Sequence, residues 1–243
     1  PKPGSTNLYF VFTQPSNPFS ATITAGLCYS IVDMNLASGN GSVTLKNQLI
    51  TYNHSHMLSG VKHCNKTDYW IIHHEKISHI FHTYLLSASG LSNNPITSVI
   101  NATLNSGYYY NWLKISPNAK KLVFPASGGL ELLDFNNATG VISNPQLING
   151  SNGYPEFSSD GTKLYSLVPS STTGSVGIIY SHLINQWNLC AGSIAAINAS
   201  INQFSLNSLS ASSGMLLGFP KGMQLAPNGK IYFVRSFGSN LGV

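Results

Sequence analysis

Histidine is concentrated in one short region of the chain. His73-His74-Glu75 has His54, His56, His79 and His82 nearby in sequence. Neutral imidazoles beside a carboxylate can bind zinc, or work as a general base with an orienting acid. The spacing argues against a joint site, because successive strand side chains point to opposite faces. His73 and His74 would share one site only if the strand ended before them. His54 and His56 have same-face spacing but fall in a connection between strands. The preferred reading is polar residues at strand ends and in loops, with a metal site at His73, His74 and Glu75 as the weaker alternative.

Carboxylates are scarce enough to place one by one: there are 7 in the whole chain. Asp33, Asp68, Asp134 and Asp160 fall in turn motifs, which leaves Glu75, Glu131 and Glu156. Cleavage of a glycosidic bond needs two facing carboxyl groups, and a calcium cage needs several converging oxygens. The inventory suits neither. No catalytic residue, metal or other cofactor is therefore assigned.

Two sets of residues are better suited to binding. Tyr108-Tyr109-Tyr110 with Trp112 offers rings that stack on sugars or anchor a protein partner, although alternate aromatics also fill the space between sheets. Lys62, Lys114, Glu156 and Gln224 fall at one equivalent position of a repeated motif, beside apolar residues of a strand. Such a set would ring the mouth of a channel or face solvent.

That motif occurs three times, as Leu113 to Phe124, Glu156 to Tyr165 and Gln224 to Phe233. Each copy is a short strand, a turn written Ser-Pro-Asn-Ala, Ser-Ser-Asp-Gly or Ala-Pro-Asn-Gly, and a second strand of β-branched and aromatic residues. Pro presets one φ and Asn or Gly tolerates a positive one, so the turn is encoded locally. A second repeat marks another corner: Asp33-Met34-Asn35 to Gly39 matches Asp134-Phe135-Asn136 to Gly140, and Gly90 to Asn94-Pro95 matches Gly140 to Asn144-Pro145. These read as hairpins between third and fourth strands. A period of roughly 40 to 50 residues with four strands per repeat predicts an all-β β-propeller of the WD40-like or seven-bladed type.

Along the chain this reading gives a first blade with strands at Leu8 to Thr13, Cys28 to Asp33 and Gln48 to Tyr52, its innermost strand missing. Blade two begins near Gly60, with Tyr69 to Ile72 and His82 to Leu86 as its second and third strands. Blade three spans Leu113 to Ile148, and blade four opens at Glu156. A fifth starts at Met223. About four to five blades in one domain, residues 1–243, leave two open edges. The chain therefore reads as a fragment of a longer polypeptide, its edges completed by missing blades or another chain.

The residues Pro3 to Thr13, Tyr29 to Met34, Val61 to Trp70 and the three turn motifs, in that order, resemble the N-terminal propeller of large secreted Bacteroidetes proteins. Those proteins carry a gliding-motility-type C-terminal sorting domain and leave the cell by the type IX secretion system. The resemblance implies a secreted, extracellular module at the cell surface that takes part in adhesion, with a protein or glycan partner and no established catalytic set.

Composition fits that expectation. Only 8% of residues are charged, against about 25% in an ordinary soluble domain, so Ser, Thr, Asn and Gly must wet the surface. No secretory leader is legible at the start, and no apolar run approaches the roughly 20 residues of a spanning helix. Membrane insertion is not expected. The net charge of +5 is scattered over lysines with a single arginine, Arg235. Phosphate and base recognition leans on clustered Arg, so nucleic acid is not an expected partner. The 3 cysteines lack metal or disulfide spacing, and read as free, buried small side chains. The function expected is a non-catalytic recognition or scaffold module; a lactonase-like propeller hydrolase and a purely structural spacer are the alternatives.

Overall fold

The computed structural model describes residues 1–15, 26–75, 78–100, 112–150, 153–174, 177–206 and 222–233. It is all-β and built of several antiparallel sheets, a plan compatible with a propeller-like fold. Helix among the described residues is confined to a 3-10 turn at Ala37–Gly39 and to α1, Ile194–Ala199.

Each sheet is a meander of strands taken in chain order. The first comprises β1 (Leu8–Thr13), β2 (Leu27–Asp33) and β3 (Ser42–Thr51). The second contains β4 (Leu58–Lys62), β5 (Tyr69–His74) and β6 (Ile80–Ser87). Beyond β6 the fourth place is shared by β7 (Gly90–Leu91) at one end and β8 (Ile96–Val99) at the other. The third is β9 (Lys114–Ile115), β10 (Lys121–Ala126), β11 (Gly129–Phe135) and β12 (Ile142–Asn149). The fourth is β13 (Tyr154–Phe157), β14 (Lys163–Gly174), β15 (Gly177–Asn188) and β16 (Asn202–Leu206), and β17 (Met223–Leu225) pairs with β18 (Ile231–Phe233).

Side chains of the corner residues make these turns. The Asn35 amide donates to Asp33 Oδ1 at 2.9 Å, and the Ala138 and Thr139 amides donate to Asn136 Oδ1 at 3.0 and 3.2 Å. Each is an Asx-type turn that supplies an acceptor where the ladder stops. Gly140, at φ +75°, closes the second corner. A Cβ there would come within 3.1 Å of the Trp70 ring, so both its conformation and its neighbours require glycine.

The chain forms two compact units, Pro1–Leu113 with Leu133–Pro145, and Lys114–Leu132 with Gln146–Val243. In the first, Phe10, Phe12 and Ile50 of the first sheet pack on Ile71, Tyr84 and Leu86 of the second. On the other face of the second sheet, the Trp70 indole N–H donates to Asn137 O at 2.9 Å. In the second unit Val123, Leu130, Ile148, Phe157, Leu164 and Trp187 form the core, joined by Ile197 of α1. Ser193 caps that helix, its hydroxyl accepting from the Ala196 amide.

Candidate functional site

Three polar residues from three successive motifs meet in the second unit. Lys114 lies on β9, Glu156 on β13 and Gln224 on β17, the first strand of each repeat. Their positions are set by the turn that follows. The amides of Ser116, Ser158 and Ala226 donate to the carbonyls of Lys121, Lys163 and Lys230 at 2.9, 3.0 and 2.9 Å. Each polar residue stands two places before that closing amide, so all three leave their strands in the same sense.

The Lys114 ammonium donates to Glu156 Oε2 at 2.8 Å, to Gln224 Oε1 at 2.9 Å and to Met223 O at 3.2 Å. Those three acceptors match its three donors. Glu156 is held just as fully: Oε1 accepts from its neighbour Phe157 N–H at 3.1 Å, and Oε2 also accepts from Leu225 N–H at 3.0 Å. The side chains of Lys114 and Glu156 are 14% and 5% exposed. A buried ion pair with this many backbone bonds ties three strands together.

Lys62 does not belong to this set. In its repeat the closing bond runs from the His63 amide to Asp68 O at 2.9 Å, so the place two residues earlier is Val61. Lys62 is one residue out of register and exposed at the end of β4. A shift of one residue on a strand sends the side chain to the opposite face. Of the aromatic run, Tyr108, Tyr109 and Tyr110 lie outside the described residues, and Trp112 is half-buried.

The histidines from His54 to His82 fall in the first unit. β5 runs two residues beyond Ile72, so His73 and His74 are the last two residues of the strand and not part of the connection after it, and both are buried. The registers His73↔His82 and His74↔Phe81 put them on opposite faces. The His73 ring lies 5.1 Å from that of His82 and 5.8 Å from that of Tyr84; His74 meets Phe81 edge-on at 4.6 Å. His73, His74 and Glu75 thus do not converge on one point. Among the described residues no group of three or more His, Cys, Asp and Glu side chains is arranged to hold a metal ion.

A different row forms instead. Glu75 Oε1 lies 2.7 Å from His82 Nε2, and Thr97 Oγ1 lies 3.2 Å from His82 Nδ1. Thr97 is directly opposite His82 across the β6–β8 pair. Burial pushes the Glu75 carboxyl up, but hydrogen bonds from His82 and Ser78 outweigh it and leave the group below its ordinary value. Burial, with His82 and His54 nearby, pushes His73 down to about 4. Burial also takes His74 to about 4, although neighbouring groups, a backbone bond near Ser78 first among them, oppose the shift.

Sequence reasoning missed the Glu75–His82–Thr97 row because it ended β5 too early. Counting back symmetrically from the hairpin between β5 and β6 pairs residue 73 with 82 and puts residue 75 on the same face. That count requires the strand to run to residue 74. The polar type of His73 and His74 argued otherwise.

No protein-family model matches the chain, and no curated protein matches it in sequence. Solved structures do. Hydrazine synthase of Kuenenia stuttgartiensis aligns at 14% identity over 85% of this chain, with a TM-score of 0.46. A protein of Bacteroides uniformis assigned as a 6-phosphogluconolactonase aligns at 10% identity over 94% of this chain and 74% of its own, TM-score 0.44. A luciferin-regenerating enzyme aligns at 14% identity over 89% of this chain and 68% of its own, TM-score 0.41. The chain spans 57% of the length of the hydrazine synthase it matches.

Proposed function

We propose that this chain is a non-catalytic recognition or scaffold module, a propeller of about four to five blades from a bacterial protein exported to the cell surface. The observation that carries the reading is the saturation of the Lys114–Glu156–Gln224 cluster. An acid or base that acts on an external substrate needs a proton position open to that substrate. Here the ammonium has three internal acceptors, and the carboxylate accepts from two backbone amides besides Lys114. Such a cluster holds strands in register and leaves binding to other surfaces. The partner proposed is a glycan or protein that stacks on the Tyr108 to Trp112 rings. Type IX export and a gliding-motility context rest on the resemblance of the ordered motifs.

The test is binding of the chain to a glycan array, with Tyr109→Ala, Tyr110→Ala and Trp112→Ala combined in one variant whose folding is checked by circular dichroism. Retained folding with lost glycan binding supports the reading. Binding unchanged by the triple substitution removes the aromatic run from the site.

One observation favours a second reading, a hydrolase. In the Glu75–His82–Thr97 row a carboxylate orients an imidazole that meets a hydroxyl, the order of groups in a nucleophilic triad. Turnover of lactone or nitrophenyl ester substrates that is abolished by Glu75→Gln and by Thr97→Val would replace the recognition reading with an enzyme.

A further inference from the structure

The Lys114–Glu156–Gln224 cluster sets an amine, a carboxylate and a carboxamide against one another, the three groups that an isopeptide bond requires. We propose that Lys114 and Gln224 become joined by an amide between Nζ and the Gln224 side-chain carbonyl carbon, with Glu156 carrying the protons. The inference stands on the geometry of the cluster and is independent of any ligand.

Lys114 Nζ is 2.9 Å from Gln224 Oε1, and that oxygen is bonded to the carbon under attack. Two further bonds fix the approach. Nζ also donates to the carbonyl of Met223, the residue before Gln224, and Glu156 Oε2 accepts from the amide of Leu225, the residue after it. The target is thus bracketed on both sides by groups already bonded to its attackers. Holding the amine one hydrogen bond from the carbonyl makes the reaction intramolecular, where effective concentrations become large. The nitrogen then has only to move from the oxygen to the face of the carbonyl carbon.

The step balances without any other reagent. Glu156, 2.8 Å from Nζ, takes a proton from the Lys114 ammonium. The resulting amine attacks Cδ of Gln224, forming the Nζ–Cδ bond and a tetrahedral carbon. As that carbon collapses, the Cδ–Nε2 bond breaks. Glu156 returns the proton to the departing nitrogen, and the remaining amine proton goes with it. The products are one secondary amide and one ammonium ion, with no change of oxidation state. The link ties β9 to β17 across 110 residues of sequence.

Intact mass of the whole purified chain, measured under denaturing conditions, is the direct test, and tryptic mapping locates the change. The expected result is a chain lighter by one ammonia, no cleavage after Lys114, and a branched peptide joining Lys114 to Gln224. Glu156→Gln, which keeps the shape and removes the proton carrier, should return the full mass, as should Lys114→Arg. An unshifted mass with free Lys114 and Gln224 peptides overturns the proposal. So does an ammonia loss that maps to an Asn-Gly step, Asn40-Gly41, Asn149-Gly150, Asn152-Gly153 or Asn228-Gly229, where a succinimide has the same mass and leaves no branched peptide. A branched peptide that persists in full in Glu156→Gln overturns the role of Glu156. The recognition reading is tested on Tyr109, Tyr110 and Trp112 by binding and this proposal on Lys114, Glu156 and Gln224 by mass, so the two fail separately.

Discussion

The two units each bury a polar group among strands, and they do so in opposite ways. In the second, Lys114 and Glu156 are buried as opposite charges whose hydrogen-bonding capacity is filled by Gln224 and the backbone. In the first, His73 is fully buried with neither ring nitrogen in a hydrogen bond of good geometry, although the His74 backbone lies close enough to favour its charged form a little. A paired charge in low dielectric is stable only while both members are present. A buried imidazole is stable only while it is neutral. The first arrangement is therefore sensitive to substitution and the second to pH.

The largest expected effect follows from breaking the pair. Glu156→Ala leaves the Lys114 ammonium buried beside one amide oxygen and one carbonyl, and should lower stability by about 3–5 kcal/mol. Replacing Lys114 and Glu156 together, by Met and Leu, should cost far less than the sum of the single changes. Urea unfolding of the two single variants and the double variant measures both. Additive losses would show that the two side chains are not coupled.

Acid should act on the other unit. His73 and His74 have native values near 4 against about 6.5 in an unfolded chain. The unfolded state therefore binds protons first as pH falls. The stability these residues confer is complete above about pH 6.5, declines between 6.5 and 4, and changes no further below 4. Each contributes roughly 3 kcal/mol over that window. His73→Phe, which keeps the ring against Tyr84, should flatten about half of the acid limb in urea midpoints taken from pH 7.5 to 4. An unchanged slope would mean that His73 is accessible to protons in the folded state.

The fold was far more legible than the site, and the reason is local encoding. The turns at Ser116, Ser158 and Ala226 carry their Pro, Asn, Asp and Gly in sequence, and the structure closes each with the bond those residues favour. The Asp33 and Asp134 corners behave alike. Side-chain clusters depend instead on register, which one residue can invert. Lys114, Glu156 and Gln224 align by the motif because their turns have nearly equal lengths; Lys62 looked equivalent only because its turn, His63 to Asp68, lacks the Pro and Gly that would have set the count. His73 and His74 do lie at the end of β5, but as its last paired residues: their partners His82 and Phe81 across the ladder keep both rings buried, which their polar type alone does not suggest.

A smaller effect is expected at the corner between β11 and β12. Gly140→Ala places a methyl 3.1 Å from the Trp70 ring and 3.2 Å from Thr83 at a φ of +75°, which should cost on the order of 1–3 kcal/mol. The Trp70 indole bond to Asn137 reports on the same corner through fluorescence. An alanine variant with unaltered melting temperature and emission would show that the corner relaxes freely.

The smallest effect sharpens the comparison most. Lys62 and Lys114 are lysines of the first strand in two repeats, and composition or motif alone gives no reason to separate them. Register does: Val61 holds the place equivalent to Lys114, and Lys62 points to solvent with no charged partner among the described residues. An exposed lysine of this kind contributes little, so Lys62→Ala should change stability by less than about 0.5 kcal/mol. Lys114→Ala should cost several times more, because it strands Glu156 in the interior. Urea midpoints of the two variants, read side by side, decide the matter. Equal losses would show that the register drawn from the His63–Asp68 bond is wrong, and that Lys62 occupies a buried place after all.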